Sequence, residues 1–289
     1  MGQHGDLSRR TFLGATAALA LTTACGRGSR QSASTTTTAT QPLNLVVGSF
    51  QVLAGSEQRV AFGVLNGQQP VPEKTEVEVS FAPVDADGTA EFAPATRRDD
   101  GIEARPLYVA HHTFDAPGMY TATARVGRRT AEAAVQVIDP ATSKVPVPGQ
   151  PLPVFATPTT ADARGVNPIC TRQPACPWHD VSLDTALAER RPLVLLVATP
   201  ALCQSAVCGP VLDILLDVKG DFESSVRFVH AEVFTDNSGK TTTAAVQALR
   251  LENEPFLFLV GADGVLRDRF DGPYDRAEAR AALAALSQS

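Results

Sequence analysis

One stretch decides the fold of this chain: Val194-Leu-Leu-Val-Ala-Thr-Pro-Ala-Leu-Cys203-Gln-Ser-Ala-Val-Cys208-Gly-Pro-Val-Leu-Asp-Ile-Leu-Leu216. Its first residues are apolar and β-branched, which predicts a buried strand. Two cysteines follow in a short loop, and Gly209-Pro210 then begins an apolar run with helical spacing. A thiol at the start of a helix lies near free backbone N–H groups and the helix dipole, which lower its pKa. The pair of thiols therefore indicates disulfide exchange rather than cysteine-based hydrolysis.

This stretch and the sequence after it resemble the thioredoxin fold over roughly residues 180–286. Residues 226–234 predict the next strand, and residues 241–251 predict a helix. Glu254-Pro255 then precedes an apolar strand, an Asp263-Gly264 turn and a second alternating strand, similar to the closing hairpin of the family. A final helix is predicted from Asp275, with a capping-box glutamate three residues later.

The resemblance also assigns roles to the residues before the closing hairpin. It implies that the peptide bond before Pro255 is cis, beside the two thiols, and that Glu254 and Pro255 shape a groove for a partner peptide. A negative charge on Glu254 would raise the pKa of a neighbouring thiol.

The cysteine spacing departs from that of thioredoxins, because four residues rather than two separate the cysteines. In one register Cys208 is the thiol at the helix N-terminus, Val211 replaces the family's second cysteine, and Cys203 is a partner from an enlarged loop. In the other register the helix begins near Ser205, Cys203 is the exposed nucleophile, and Cys208 lies one turn into the helix. Pro210 favours the first register, because proline is best tolerated in the first helical turn.

Two further features of thioredoxins are missing. Leucine and valine occupy residues 195–197, where many thioredoxins carry a buried carboxylate, and no tryptophan immediately precedes the cysteines. These differences disfavour the ordinary reductase activity of thioredoxins.

The N-terminal sequence predicts export. Arg9 and Arg10 stand in a segment that reads as a twin-arginine signal, and an apolar stretch too short to span a bilayer follows. The sequence before Cys25 resembles a bacterial lipobox, which implies cleavage after residue 24 and lipidation of Cys25. The alternative is an ordinary secretory signal with a chance cysteine. Residues 26–41 are predicted to form a flexible tether, so we expect a lipid-anchored protein on the outer face of the cell membrane.

Export changes the interpretation of the remaining four cysteines. An even number in an oxidising compartment suggests two disulfides. The pairs closest in sequence are Cys203–Cys208 and Cys170–Cys176, and we expect the second to be structural, in a proline-punctuated loop. Two alternatives remain open: Cys170 and Cys176 as a resolving or relay pair, and Cys203–Cys208 as an inert disulfide.

Composition limits the class of protein. The chain has 289 residues, 44% of them apolar, which is enough for two domains. Its net charge of −6 argues against nucleic acid as a partner. Six short alternating runs predict an immunoglobulin-like β-sandwich over residues 42–139. A proline-rich linker and cysteine loop follow over residues 140–178, and the α/β thioredoxin-like domain, with a central mixed sheet flanked by helices, takes residues 179–289.

Two sequence patterns resemble copper-binding sites, but we predict no metal or other cofactor. His111 and His112 are adjacent on a predicted strand, so their side chains should point to opposite faces. The cysteine loop also resembles that of Sco-type copper(I) carriers, in which two thiolates and a histidine bind copper. His230 lies in a predicted strand, where a core or sheet-surface role is the default.

These observations favour an extracytoplasmic thiol–disulfide oxidoreductase of the bacterial envelope that acts on the thiols or disulfides of other proteins. In the expected reaction Cys208 exchanges first and Cys203 resolves the mixed disulfide. The alternatives are a non-enzymatic exported binding module with structural disulfides and a Sco-type copper(I) carrier.

Overall fold

The computed structural model describes residues 41–85 and 90–289. The predictions for Arg9, Arg10 and Cys25 therefore lie outside the described residues. Residues 41–289 form one compact unit. Within the described part of the chain, every helix is too short or too polar to cross a bilayer.

The first part of this unit consists of β-strands. They are β1 (Leu43–Val47), β2 (Val52–Leu53), β3 (Glu57–Asn66), β4 (Gln69–Pro70), β5 (Glu78–Pro83), β6 (Ala93–Pro94), β7 (Thr96–Arg98), β8 (Leu107–Thr113), β9 (Gly118–Val126) and β10 (Arg129–Ile138). The six strands predicted from alternating runs are confirmed as β1, β3, β5, β8, β9 and β10. The short strands β2, β4, β6 and β7 escaped prediction, because two or three residues carry no measurable periodicity.

These strands form two sheets that enclose a common core. One sheet has the order β1-β3-β8-β7, with β4 also paired to β3, and the other has the order β2-β10-β9-β5-β6. Side chains from both sheets meet in one buried cluster, for example Val60 and Phe62 of β3 with Ala122 and Ala124 of β9. The arrangement is a β-sandwich, as the alternation of apolar residues predicts.

The segment after the sandwich contains little regular structure but is tied to the rest of the chain. After a short 3₁₀ turn at Pro140–Thr142, the backbone N–H groups of Gly149 and Leu152 donate to carbonyls of Leu266 and Gly264. Leu152 is buried in a cluster with the second half of the chain. The proline-rich segment is therefore packed against the structure that follows it.

The second part of the unit alternates strands and helices. Its elements are α1 (Leu183–Ala188), β11 (Leu193–Val197), α2 (Cys208–Val218), β12 (Arg227–Ala231), α3 (Ala244–Leu249), β13 (Phe256–Val260), β14 (Leu266–Asp271) and α4 (Arg276–Leu286), with a 3₁₀ turn at Lys219–Asp221 after α2. Asp275 and Glu278 form the predicted capping box at the start of α4.

The four strands of this part make one mixed sheet in the order β12-β11-β13-β14. Only β11 and β12 run parallel. Alternate residues of β11 point to opposite faces: Val194 and Leu196 pack with α2 and α4, whereas Leu193 and Leu195 pack with α1 and α3. All five residues of β11 are buried because helices cover both faces.

The sandwich and the mixed-sheet part share hydrophobic core. Ala61, Leu107 and Val109 belong to the same buried cluster as the apolar residues of α2 and α4. Arg59 of β3 also forms a two-pronged ion pair with Glu278 of α4, at 2.7 and 2.9 Å. The two parts are thus in direct contact through both apolar and charged groups.

Candidate functional site

The cysteine loop joins β11 to α2, and α2 begins at Cys208. This start agrees with the first of the two registers, since Gly209 and Pro210 fall in the first helical turn. Proline is acceptable there because the first N–H groups of a helix have no partner within the helix. The loop crosses from the end of a buried strand to the start of a buried helix, so it places Cys208 inside the protein.

Cys203 and Cys208 are joined by a disulfide whose two ends differ in environment. Cys208 is 0% exposed, whereas Cys203 is only partly buried. The Cys203 sulfur accepts a hydrogen bond from the backbone N–H of Cys208 at 3.3 Å and lies 3.3 Å from the hydroxyl oxygen of Ser205. These donors and the helix N-terminus favour a thiolate at Cys203. Cys203 is therefore the more accessible sulfur, and Cys208 is the shielded one.

Glu254 is half-buried and places a carboxyl group beside the disulfide. Its Oε2 atom lies 3.4 Å from the Cys208 sulfur and accepts a hydrogen bond from the backbone N–H of Thr199. Burial raises the pKa of Glu254 to about 7, against the lowering effect of the hydrogen bond from Thr199. A carboxyl group with this pKa can exchange a proton with Cys208 near neutral pH.

Glu254 and Pro255, the residues of the expected groove, differ in exposure. Glu254 lines a cavity of about 370 Å³, together with Phe234 and with Leu202 and Gln204 of the cysteine loop. Pro255 is buried, and its peptide bond to Glu254 is cis, as the resemblance implied. The cavity beside the disulfide is therefore lined by Glu254 and the cysteine loop, whereas the ring of Pro255 is buried.

The expected Cys170–Cys176 disulfide is not formed. Both cysteines are unbonded and buried, and the thiols face the imidazoles of His179 and His230. The sulfur of Cys176 lies 3.3 Å from Nε2 of His179 and 3.4 Å from Nδ1 of His230. Each thiol therefore has polar partners inside the protein other than the second sulfur.

The two thiols and the groups around them shift one another's pKa values. A hydrogen bond from Cys176 lowers the pKa of Cys170, and the same hydrogen bond raises the pKa of Cys176. Burial alone lowers the pKa of His230, but its contacts with Cys170 and the nearby charge of Glu232 outweigh burial and raise it. Glu232 is 1% exposed, and burial raises its pKa.

Sequence analysis identified neither His179 nor Glu232 as a candidate, and it considered His230 only in relation to copper, with a core or sheet-surface role as the default. One signal was present, since His179 follows Cys176 by three residues, a spacing typical of metal ligands. The expectation of an extracellular disulfide concealed it. His230 lies on β12, and its backbone N–H donates to the carbonyl of Trp178 at 3.2 Å, which holds the strand beside this loop.

His111 and His112 take no part in the candidate site. The side chain of His111 is 56% exposed and lies 3.7 Å from Glu57, whereas His112 packs against the rings of Phe81 and Phe114. The adjacent imidazoles thus have different surroundings, as expected for neighbours on a strand.

Comparisons with known proteins add little to this description. No protein-family model matches the chain, and the search of curated proteins found no match. Among solved structures, the chain is similar to the PKD domain of the human VPS10 domain-containing receptor SorCS2. The identity is 18%, the match covers 44% of this chain and 100% of that chain, and the TM-score is 0.23.

Proposed function

We propose that this protein is a thiol–disulfide oxidoreductase that acts on protein thiols or disulfides through Cys203 and Cys208. The observation that carries the proposal is the asymmetry of the disulfide. One sulfur is accessible and lies 3.3 Å from both the backbone nitrogen of Cys208 and the hydroxyl oxygen of Ser205, and the other is buried against a carboxyl group of raised pKa. An inert structural disulfide needs neither the donors nor the proton-exchanging neighbour.

The reduction of a substrate disulfide follows from this geometry in two steps. The Cys203 thiolate attacks one sulfur of the substrate, which forms a mixed disulfide and releases the other sulfur as a thiolate. Glu254 then removes the proton of Cys208, whose thiolate attacks the Cys203 sulfur and releases the second substrate thiolate. Two electrons pass to the substrate, and the Cys203–Cys208 disulfide forms.

Oxidation of a substrate dithiol is the same sequence in reverse. A substrate thiolate attacks the accessible Cys203 sulfur, and Cys208 leaves with a proton from Glu254. A second substrate thiolate then attacks the mixed disulfide and releases Cys203. Attack at Cys208 is disfavoured, because that sulfur is 0% exposed.

We also propose specific domain types, a cellular location and a class of partner for this protein. A mixed sheet between two helix layers, with a cysteine loop before α2, supports a thioredoxin-like domain after an immunoglobulin-like sandwich. The N-terminal sequence supports export by a twin-arginine signal and lipid anchoring at Cys25. The partners would then be proteins outside the cytoplasm. The domain boundaries at residues 42–139, 140–178 and 179–289 remain predictions.

The proposal is tested by measuring the reduction potential of Cys203–Cys208 in the full chain. Free thiols are trapped across a glutathione series and located by peptide mass. Opening at a potential between about −270 and −120 mV, the range of thiol oxidoreductases, supports the proposal. If the bond stays closed until below about −300 mV, the disulfide is structural and the protein is better described as a binding module.

A pair of trapping variants tests the roles of the two cysteines. Cys208→Ser leaves the accessible thiol without its resolving partner and should accumulate mixed disulfides with partner proteins. Cys203→Ser, the matched control, leaves only the buried thiol and should accumulate few. Equal trapping by both variants would contradict the assignment of Cys203 as the exchanging sulfur.

A copper(I) carrier finds less support. In the described residues the groups around Cys203 and Cys208 that could bind a metal include Glu254 but no histidine. His230, which the Sco resemblance made a candidate, contacts Cys170 and Cys176 instead.

A further inference from the structure

Four side chains that the proposed exchange reaction does not use converge at one buried point. Cys170 and Cys176 come from the loop before α1, His179 comes from the end of that loop, and His230 comes from β12. Their exposed fractions are 3%, 5%, 2% and 0% respectively. One potential ligand atom from each lies within 4.8 Å of the other three.

The spacing of these atoms is that of a tetrahedral zinc site. With Zn–S bonds of about 2.3 Å and Zn–N bonds of about 2.0 Å, tetrahedral angles put sulfur and nitrogen ligands about 3.5 Å apart and two nitrogens about 3.3 Å apart. The sulfur–nitrogen distances are 3.3 Å and 3.4 Å from Cys176 to the two histidines and 3.8 Å from Cys170 to His230. The two imidazole nitrogens are 3.2 Å apart.

Neighbouring groups hold two of the ligands in a binding orientation. Nε2 of His230 lies 3.0 Å from the carbonyl oxygen of Ala198, to which it can donate, and this leaves Nδ1 facing the cluster with a free lone pair. The backbone N–H of Cys176 donates to the Cys170 sulfur at 3.4 Å, a contact that stabilises a thiolate. Such outer contacts fix the tautomer and orientation of metal ligands.

The charge and the burial of these four side chains also favour a bound metal ion. Two thiols and two imidazoles lie at a site almost closed to solvent, where a buried ion or polar group must be matched by partners of complementary charge or hydrogen-bonding character. Binding Zn²⁺ releases the two thiol protons, and the two thiolates then neutralise the charge of the ion. The resulting centre is electrically neutral, which suits a buried position.

We propose that Cys170, Cys176, His179 and His230 bind one Zn²⁺ ion in a closed, four-coordinate structural site. Four protein ligands leave no open position for substrate, and two sulfur with two nitrogen ligands in a tetrahedron select zinc among the common metals. The ion would fasten the loop of residues 167–180, which has few regular hydrogen bonds of its own, to β12. None of these four side chains takes part in the proposed exchange steps at Cys203 and Cys208.

The first test is the metal content of the purified full chain by inductively coupled plasma mass spectrometry. We expect one zinc per chain in the wild type and loss of most of it in Cys170→Ser and His230→Gln. The double variant Cys203→Ser/Cys208→Ser, which removes the other cysteine pair, is the matched control and should keep its zinc. Equal zinc in all variants, a wild type without metal, or a closed Cys170–Cys176 disulfide in peptide maps would overturn the proposal.

A second measurement on the wild type avoids variants that fail to fold. After the metal is removed with a chelator, the chain is titrated with Co²⁺ alone and followed by absorption. We expect thiolate charge-transfer and tetrahedral ligand-field bands that saturate at one equivalent and disappear when Zn²⁺ is added. No such bands, or a chain that takes up copper(I) at these residues and excludes zinc, would overturn the zinc assignment.

Discussion

Glu254→Gln gives the sharpest test of the exchange mechanism, because it removes one titrating group beside one sulfur. The carboxyl group has a pKa of about 7 and lies 3.4 Å from the Cys208 sulfur. When a thiolate attacks Cys203, negative charge develops on Cys208. Protonated Glu254 can donate a proton to that sulfur, whereas ionised Glu254 repels its charge. The rate of disulfide opening should therefore follow the protonated fraction of Glu254.

The magnitude follows from the pKa. A group with a pKa of about 7 is about 90% protonated at pH 6 and about 10% protonated at pH 8. The second-order rate constant for opening by dithiothreitol, expressed per reductant thiolate, should fall about tenfold between these values in the wild type. In Glu254→Gln it should be nearly constant, because the amide does not titrate.

The assay is rapid mixing with excess dithiothreitol, acid quench and trapping of the Cys203 and Cys208 thiols for peptide mass analysis. Glu252→Gln is the matched control, since this carboxylate lies two residues away with its side chain 80% exposed. It should keep the wild-type pH profile. A flat wild-type profile, or the same tenfold fall in Glu254→Gln, would refute the role of Glu254.

Three further predictions rest on burial and backbone geometry. After reduction, iodoacetamide should modify Cys203 at least about tenfold faster than Cys208, since the buried thiol reacts only after local opening; equal rates by peptide mass would contradict the assigned roles. Arg59→Met should lower the free energy of unfolding in urea by about 3 kcal/mol, because it leaves a buried carboxylate unpaired, whereas Arg280→Met, from a solvent-exposed pair, should change it by less than about 1 kcal/mol. Gly272→Ala should cost about 2 kcal/mol or more in the same assay, because φ is +105° there and a Cβ would collide with a backbone carbonyl; a neutral result would show that the backbone can relax.

The fold was predictable where a periodic pattern was long enough to identify an element. The alternation in β3 and β9, the Asp263-Gly264 turn and the capping box at Asp275 all act within a few residues, so the sequence contains the whole signal. The contact between sandwich and helices was not predictable in this way. Residues such as Ala61 and Leu107 look like ordinary strand residues, and their packing partners lie more than a hundred positions away.

In the candidate site, too, features set by adjacent residues were predictable and contacts between distant segments were not. The position of Cys208 at the start of α2 follows from the adjacent Gly209-Pro210, a local signal. The contact of Glu254 with Cys208 and the meeting of His230 with Cys170 depend on which strands lie side by side, and strand order is a property of the whole chain. Local spacing suggested a disulfide for Cys170 and Cys176, whereas the assembled sheet gives those thiols two imidazole neighbours.

The shared core between sandwich and helices has a consequence for how the chain can be divided. If the mixed-sheet part were produced alone, the faces of α2 and α4 that now contact Ala61, Leu107 and Val109 would be exposed. The Glu278 carboxylate would also lose its ion pair with Arg59. The loop that bears Cys203 would also lose an anchor, since Arg105 of the sandwich part donates to the Ser205 carbonyl at 2.8 Å. The sandwich thus supports the cysteine loop, and we expect the mixed-sheet part to fold only together with it.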